Sequence, residues 1–330
     1  MTTYFSTFIS GFQDIVEREL GKKLKTNKVE KMLDGLAIYE TSSKIEEVKR
    51  IKFFNNSYLL GFLKENINPL FPEKFIRDIL KNGNFRFSDD VIGQKKTRFR
   101  VVVSKENELV KVNNNLLKEV EDKIQVNNYL VVDRASPEVE FWVVIRREKL
   151  GLFGMRITKH KDYKKILDKG ELRPELAHLL VLLSEPAKDD VFVDPCAGKA
   201  AILSARENYP YKEIRGYDVE PKANRSGFRV LKGDATKLHQ LKDGSVDKIV
   251  SDPPWGEFNK SSDVGKLYTQ TLGEFDRVVK SGGSIILLIA KKEVFEDNLG
   301  NFRETLRLEK KYNILVNGKK AGVYKIRKIA

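Results

Sequence analysis

The sequence predicts an α/β fold whose second half is an open, doubly wound sheet closed by an antiparallel hairpin. Three observations carry this expectation. Residues 190–194 are a short apolar run, and residues 195–203 then turn through small residues into a helical pattern. Three later runs, at 213–218, 228–234 and 248–252, each end in an acid: Asp218, Asp234 and Asp252. Residues 306–316 and 323–329 flank Asn317-Gly318, and Asn-Gly is the strongest short hairpin signal. Open α/β sheets place ligands beyond the carboxyl ends of their strands, where these acids and the glycine turn fall.

The chain has 330 residues, enough for two or three domains. With 41% hydrophobic residues it can fill real cores. No run approaches the roughly 18 apolar residues of a membrane span. Residues 1–5 lack a basic start or a signal-type apolar core. The lone Cys196 excludes an internal disulfide framework. His160, His178 and His239 lack metal-ligand spacing. No membrane and no metal are expected, and the cytoplasm is the expected location. The 61 Lys and Arg against 47 Asp and Glu leave a net +14, the larger share of it before residue 171. That excess points to an anionic partner, nucleic acid above all. No apolar stripe implies a dimer, so a monomer is expected.

In the first half, residues 4–9 read as a strand, 12–20 as a helix and 35–40 as a strand. Ser43 with Glu46 three residues on signals a capped helix start. Residues 53–63 are a further strand. A β-α-β order with an added helix and strand suits a small ferredoxin-like unit. A polar loop at 82–90 precedes a strand at 95–103, a helix at 116–124 and strands at 129–133, 139–145 and 150–157. Residues 141–166 interleave cations with Phe141, Trp142, Phe153 and Tyr163. Arg146, Arg147, Lys149, Arg156, Lys159 and Lys161 are the candidate phosphate contacts, a kind of binding that is largely sequence-blind. By strand alternation, one of Phe141 and Trp142 belongs to the core. A charged linker at 161–169 leads to a helix starting on Pro174.

The chemistry concentrates at Ser251-Asp252-Pro253-Pro254-Trp255. Prolines cannot donate to a sheet ladder, so the strand stops at Asp252. Each proline also holds its predecessor extended, which stiffens the turn. A planar base with an exocyclic amine can stack on Trp255. The Asp252 carboxylate and the Pro253 carbonyl can accept its amine hydrogens. Catalysis is then mostly positioning, with no activated hydroxyl and no metal. At the first glycine turn, small residues let a ligand lie on backbone beside a helix N-terminus. Asp218 stands 20 residues after Gly198, a spacing that suits a carboxylate on ribose hydroxyls. Dehydrogenases share the strand, glycine loop and acid, but have no role for the third acid or the Pro-Pro strand end.

Asp252-Pro253-Pro254-Trp255 resembles the Asp/Asn-Pro-Pro-aromatic signature of amino-methyltransferases, which use S-adenosylmethionine to methylate base amines. Residues 194–200 resemble their first motif, with Gly198 at the first glycine and Ala200 at the second, a departure that tightens the loop. The resemblance assigns cofactor contacts to Asp194, Pro195, Ala197, Gly198 and Ala200, and to Asp218, Val219, Asp234, Ala235 and Asp252. It makes Asp252, Pro253, Pro254 and Trp255 the catalytic turn. Ahead of it, the strands carrying Pro137-Glu138-Val139-Glu140 and Gly151-Leu152-Phe153-Gly154 resemble a THUMP domain, an RNA-binding module of tRNA-modifying enzymes. Over nearly its whole length the chain resembles THUMP-containing tRNA guanosine-N2 methyltransferases. That implies a ferredoxin-like domain at 1–66, a THUMP domain at 67–160, a linker and helix at 161–185, and a Rossmann-like methyltransferase domain at 186–330. The implied partner is tRNA. Adenine-N6 methylation of RNA or DNA is the alternative within enzymes. An inactive RNA-binding protein with a degenerate cofactor loop is the alternative outside them.

Overall fold

The computed structural model describes residues 1–25, 27–87, 92, 96–158, 171–221, 224–225, 228–255, 263–316 and 318–330. The chain divides into two compact units. One comprises Met1–Thr7 and Glu19–Tyr163, the other Phe8–Arg18 and Lys164–Ala330.

The first unit begins with β1 (Thr2–Thr7), the end of α1 (Gln13–Lys23, whose residues 13–18 group with the second unit), β2 (Asn27–Leu33), β3 (Leu36–Thr41), α2 (Ile45–Lys49) and β4 (Asn56–Lys64). It continues with α3 (Pro72–Asn82), β5 (Arg98–Lys105), β6 (Glu108–Leu109), α4 (Asn114–Asn128), β7 (Val131–Val132), β8 (Val139–Ile145) and β9 (Gly151–Arg156). The strands form one sheet in the order β2-β3-β1-β4-β9-β8-β5-β6, with β7 beside β5. Its first four strands have the order of a split β-α-β unit, and the sheet runs on through the antiparallel pair β4 and β9. Three elements of this unit were not expected from the sequence, one of them the two-residue strand β6. The charged edge strand β2 lacks clean alternation, and α3 is announced only by Pro72 at its first turn. The capped helix start lies one residue later than expected. The Lys44 N–H donates to Glu47 at 2.9 Å, so Glu47 and not Glu46 closes that turn.

Phe141 is fully buried against Phe99 and Phe153, while Trp142 faces the other side beside Tyr58. Gly154 is required where β9 crosses β4. A Cβ there would fall 2.4 Å from the Leu59 carbonyl oxygen and 2.7 Å from the Phe5 ring.

The second unit contains α5 (Pro174–Leu183), β10 (Val191–Asp194), α6 (Ala201–Arg206), β11 (Glu213–Asp218), β12 (Asn224–Arg225), β13 (Phe228–Lys232) and β14 (Val246–Ser251). Then come α7 (Val264–Val278), β15 (Val279–Ile289), α8 (Lys292–Leu299), β16 (Leu306–Val316) and β17 (Lys319–Lys328). The sheet order is β12-β13-β11-β10-β14-β15-β17-β16. Strands β13, β11, β10, β14 and β15 are parallel, and β17 enters antiparallel between β15 and β16. This is the expected doubly wound sheet with its terminal hairpin. Gly318 takes the turn at φ +80°, and Asn317 lies outside the described residues. Gly282 and Gly283 fall inside β15, where the register against β14 shifts between Val246 and Lys248. Val193, Ile249, Ile285, Leu287, Tyr268 and Phe275 form its buried core.

Residues 8–18 group with this second unit. Phe12 stacks on Tyr312 with ring centroids 5.2 Å apart, the Tyr312 hydroxyl donates to Asp14 at 3.0 Å, and Arg18 donates to the Leu182 carbonyl at 3.1 Å.

Candidate active site

The chain leaves β10 toward β11 and β13, then returns to β14 on the other side. The strand order therefore reverses between β10 and β14, and a ligand crevice opens at such a switch point. Asp194, Asp218, Asp234 and Asp252 lie at the ends of β10, β11, β13 and β14, all along that edge. Their common placement follows from the parallel pairing of these strands, since a parallel sheet gathers every carboxyl end on one side.

The loop between β10 and α6 is laced to the end of β11. The Ala197 N–H donates to the Tyr217 carbonyl at 2.9 Å, and the Gly198 N–H donates to Asp218 Oδ2 at 2.8 Å. Gly198 has φ +49°, and a Cβ there would meet nothing within 4 Å, so its outer face is open. Asp218 Oδ1 accepts the Glu220 N–H at 2.9 Å. Each Asp218 oxygen thus carries one internal bond and keeps a lone pair for a ribose hydroxyl. Val219 is exposed beside it. Asp234 is exposed, and its Oδ1 takes both the N–H and the hydroxyl of Thr236. Ala235 is buried beneath. This donor and acceptor set suits a nucleoside with a ribose diol and an amino group.

Asp194 differs from the other acids. It is 1% exposed, and its Oδ1 accepts the Ser251 hydroxyl at 2.7 Å and the Cys196 N–H at 3.1 Å. It shapes the loop from inside. Pro195 is buried with it. Ala200 is fully buried in the left-handed region at φ +64°, a conformation that costs a non-glycine residue about 1–3 kcal/mol. The departure at Ala200 therefore strains the backbone, and α6 starts from it.

At the end of β14, the Trp255 indole N–H donates to Asp252 Oδ1 at 2.8 Å. Stacking had been the expected role of this ring; the structure adds a hydrogen bond to the carboxylate. Pro253 is buried and Pro254 exposed. Desolvation pushes the Asp252 carboxyl up to about 7, against the Trp255 bond that favours its charged form. Burial pushes Asp194 up to about 7 as well, and the neighbouring Asp252 and Asp218 charges add to it.

Arg206, at the end of α6, ties the segment that enters β10 to the turn that follows α6. It is fully buried, with Nη1 on the Tyr209 and Pro210 carbonyls and Nη2 on the Ala187 carbonyl and Asp190. Phe192 and Tyr211 lie on its guanidinium at 5.5 and 5.7 Å. Nothing in the sequence singled it out, although an arginine on an otherwise apolar helix is the trace it leaves. Ser251 was also missed, and its trace is a hydroxyl closing an apolar strand. Cys196 packs against the core with its thiol pushed far above the ordinary value by burial, which is no setting for a nucleophile. His178 is packed against Tyr209. Among the described residues, no group of three or more His, Cys, Asp or Glu could hold a metal ion, and no helix is long and apolar enough to cross a membrane.

The candidate phosphate contacts fare unevenly. Arg146 is 7% exposed and spends its guanidinium on Glu148 and the Asp34 carbonyl, so it is an internal strut and no surface cation. Arg147 is open, with 71% of its side chain exposed, and Lys149 is exposed on the turn before β9. Arg156 pairs with Glu140 at 3.0 Å and lies 5.9 Å from the Trp142 ring. Lys159 and Lys161 lie outside the described residues, as do Tyr163, the charged linker and the loop at 257–262.

Residues 224–321 match the UPF0020 family, described as RMKL-like, methyltransferase domain. The chain is 31% identical over 132 residues to the U6 snRNA (guanine-N(2))-methyltransferase THUMPD2 of Bos taurus, covering 36% of this chain and 26% of that protein. It is 22% identical over 209 residues to the tRNA (guanine(6)-N2)-methyltransferase of Methanocaldococcus jannaschii, covering 48% of this chain and 54% of that one. These matches span about half the length of the archaeal relative and a quarter of the bovine one. Among solved structures, TrmN from Thermus thermophilus aligns with a TM-score of 0.77 over 100% of both chains at 19% identity, a likeness of fold. The second unit therefore has the Rossmann-like methyltransferase fold, and its residues 224–321 are similar to the UPF0020 methyltransferase-domain family.

Proposed function

We propose that this protein is an S-adenosylmethionine-dependent methyltransferase that methylates the exocyclic N2 amine of a guanosine in tRNA. The observation that carries the reading is Asp252. Its carboxylate stands at the strand-order reversal, desolvated, with one oxygen held by Trp255 and the other without a hydrogen-bond donor among the described residues and so available to an incoming amine. No structural demand of the sheet calls for an acid there. The guanine-N2 assignment follows the names of the similar bovine and archaeal enzymes. The net charge of +14 supports an RNA partner.

The residues fit the cofactor. Asp218 has the lone pairs for both ribose hydroxyls, the open face of Gly198 lets the nucleoside lie against backbone, and Asp234 has an oxygen for the adenine amine. When bound, the cofactor supplies an electrophilic methyl on a sulfonium. The rest belongs to the protein. A paired guanine amine is out of reach, so the base leaves its stack first. Asp252 Oδ2 accepts one amine hydrogen and the Pro253 carbonyl the other, which localises the nitrogen lone pair and aims it. Trp255, tethered to Asp252, offers the ring on which the base stacks. The amine nitrogen would form its new N–C bond as the methyl's bond to the sulfonium sulfur breaks and leaves a neutral thioether, and it would release one proton, to Asp252 or to solvent. Pro253 and Pro254 keep the turn rigid, so these acceptors need little reorganisation.

The test is nucleoside mass spectrometry of unmodified tRNA transcripts incubated with the protein and S-adenosylmethionine. N2-methylguanosine is expected. N6-methyladenosine would keep the chemistry and overturn the substrate. Absence of cofactor binding by calorimetry would favour an RNA-binding protein with a degenerate loop at Ala200.

A further inference from the structure

Beneath the catalytic turn lies a buried polar cluster that the reaction above does not use. Asp194 ends β10 and Ser251 ends β14, and both are buried. The two strands are parallel neighbours through Val193 and Ile249. One oxygen, Asp194 Oδ1, receives the Ser251 hydroxyl at 2.7 Å and the Cys196 N–H at 3.1 Å. A single atom thus ties the first residues of the glycine loop to the residue directly before Asp252. Closing the sheet does not require it, because the strand ladder and the apolar core already join β10 to β14. A buried carboxylate is costly in such a place, and its hydrogen bonds are what make it tolerable.

We propose that Asp194, acting through the Ser251 hydroxyl, is a positioning residue that fixes the end of β14 and with it the reactive geometry of Asp252. The groups facing Asp194 are Ser251 and Asp252 from β14 and its turn, Cys196 from the loop and Asp218 from the end of β11. None is a cation, so the two buried acids resist sharing negative charge. Burial and then the Asp252 and Asp218 charges raise Asp194 against its two hydrogen bonds, while burial raises Asp252 against the single indole N–H bond. The clasp therefore sets the place of the catalytic carboxylate. The inference rests on the reading of Asp252 as the amine acceptor.

The test has one readout that needs no turnover. The chain has two tryptophans, Trp142 and Trp255. In a W142F background, the emission of Trp255 reports the ionisation of Asp252 through their shared hydrogen bond. That emission is expected to titrate near neutrality. In S251A the loosened turn admits water, and the midpoint moves down by about 0.5 unit or more toward the ordinary carboxylate range. With Trp142 intact, S251A and D194A are expected to lower kcat about 10- to 100-fold with little change in KM for RNA, as a small misplacement of a reacting group does. D194N keeps an oxygen to accept the Ser251 hydroxyl and is expected to lose about 10-fold less kcat than D194A. An S251A protein with parental midpoint and kcat would overturn the proposal. So would a D194N protein as impaired as D194A, or a Trp255 emission that does not titrate. If the parent methylates nothing, the functional reading fails, while the fluorescence series still decides whether the clasp governs Asp252.

Discussion

Replacing Arg206 by leucine should strip the support from β10 and unfold the second unit at a lower temperature. The arginine makes four hydrogen bonds between 2.9 and 3.3 Å, three to the carbonyls of Ala187, Tyr209 and Pro210 and one to Asp190. Leucine fills much of the space between Phe192 and Tyr211 but donates to none of these acceptors. A buried acceptor left bare costs about 1–3 kcal/mol, and breaking a buried ion pair costs about 3–5 kcal/mol. Two effects reduce the sum. Pro210 is exposed, so water can reach its rim, and Asp190 keeps the Ala187 N–H at 2.7 Å. The net expectation is a loss of about 4 kcal/mol, or a Tm lower by about 8–16 °C for a unit of this size. Urea and thermal unfolding of the full chain, followed by circular dichroism, read both. A lysine at 206 keeps the charge without the planar fork and should fall between the two proteins. A leucine variant within about 1 kcal/mol of the parent would refute the claim that this guanidinium ties the approach to β10 to the turn after α6, since its loss should leave several acceptors bare.

Stability should fall as pH rises from about 5 to 7.5. Asp194 and Asp252 have folded-state pKa values raised to about 7, so the folded chain keeps protons that the unfolded chain has already lost. Acids held below the ordinary value, such as Glu185 and Glu213, are charged in both states across that window and add no slope. A Tm that is level or rising over this range, or unaltered in slope by D252N, would contradict the assignment. Gly154→Ala should destabilise the first unit by about 1–3 kcal/mol, because the new methyl meets a backbone carbonyl and a buried ring that cannot both yield; a denaturation midpoint unchanged from the parent would show that the sheet can open there. Asp252→Ala should cut methyl transfer at least about 100-fold while RNA affinity in a filter-binding assay stays near the parent's; equal loss of both would mean that Asp252 acts in folding or binding.

Much of the second unit was legible because its signals are local. Apolar runs of four to six residues, small residues after Asp194 and prolines after Asp252 each constrain the backbone through their immediate neighbours. The hairpin at Gly318 was readable for the same reason. The first unit was less so. Strand β2 carries charges at a sheet edge, and α3 begins at a proline that equally well marks a turn. Arg146 was read as an RNA contact from its neighbours in a basic run, but its surroundings are Glu148 and a carbonyl more than a hundred residues away.

The sequence by itself determined the kind of sheet, the acids at its strand ends and the stiff turn that carries Asp252. Those depend on periodicity and on the φ restriction and missing donor of proline, which act within a few residues. Only the tertiary structure decided which acids are free for a ligand and which are spent inside. Asp218 and Asp234 remain open, whereas Asp194 is enclosed with Ser251 and Cys196. It alone showed that Trp255 donates to Asp252, that Arg206 ties the approach to β10 to the turn after α6 and that Phe12 and Asp14 pack with Tyr312. Burial and hydrogen-bond partners are set by strands brought together from distant parts of the chain, and that proximity has no signature in residue order.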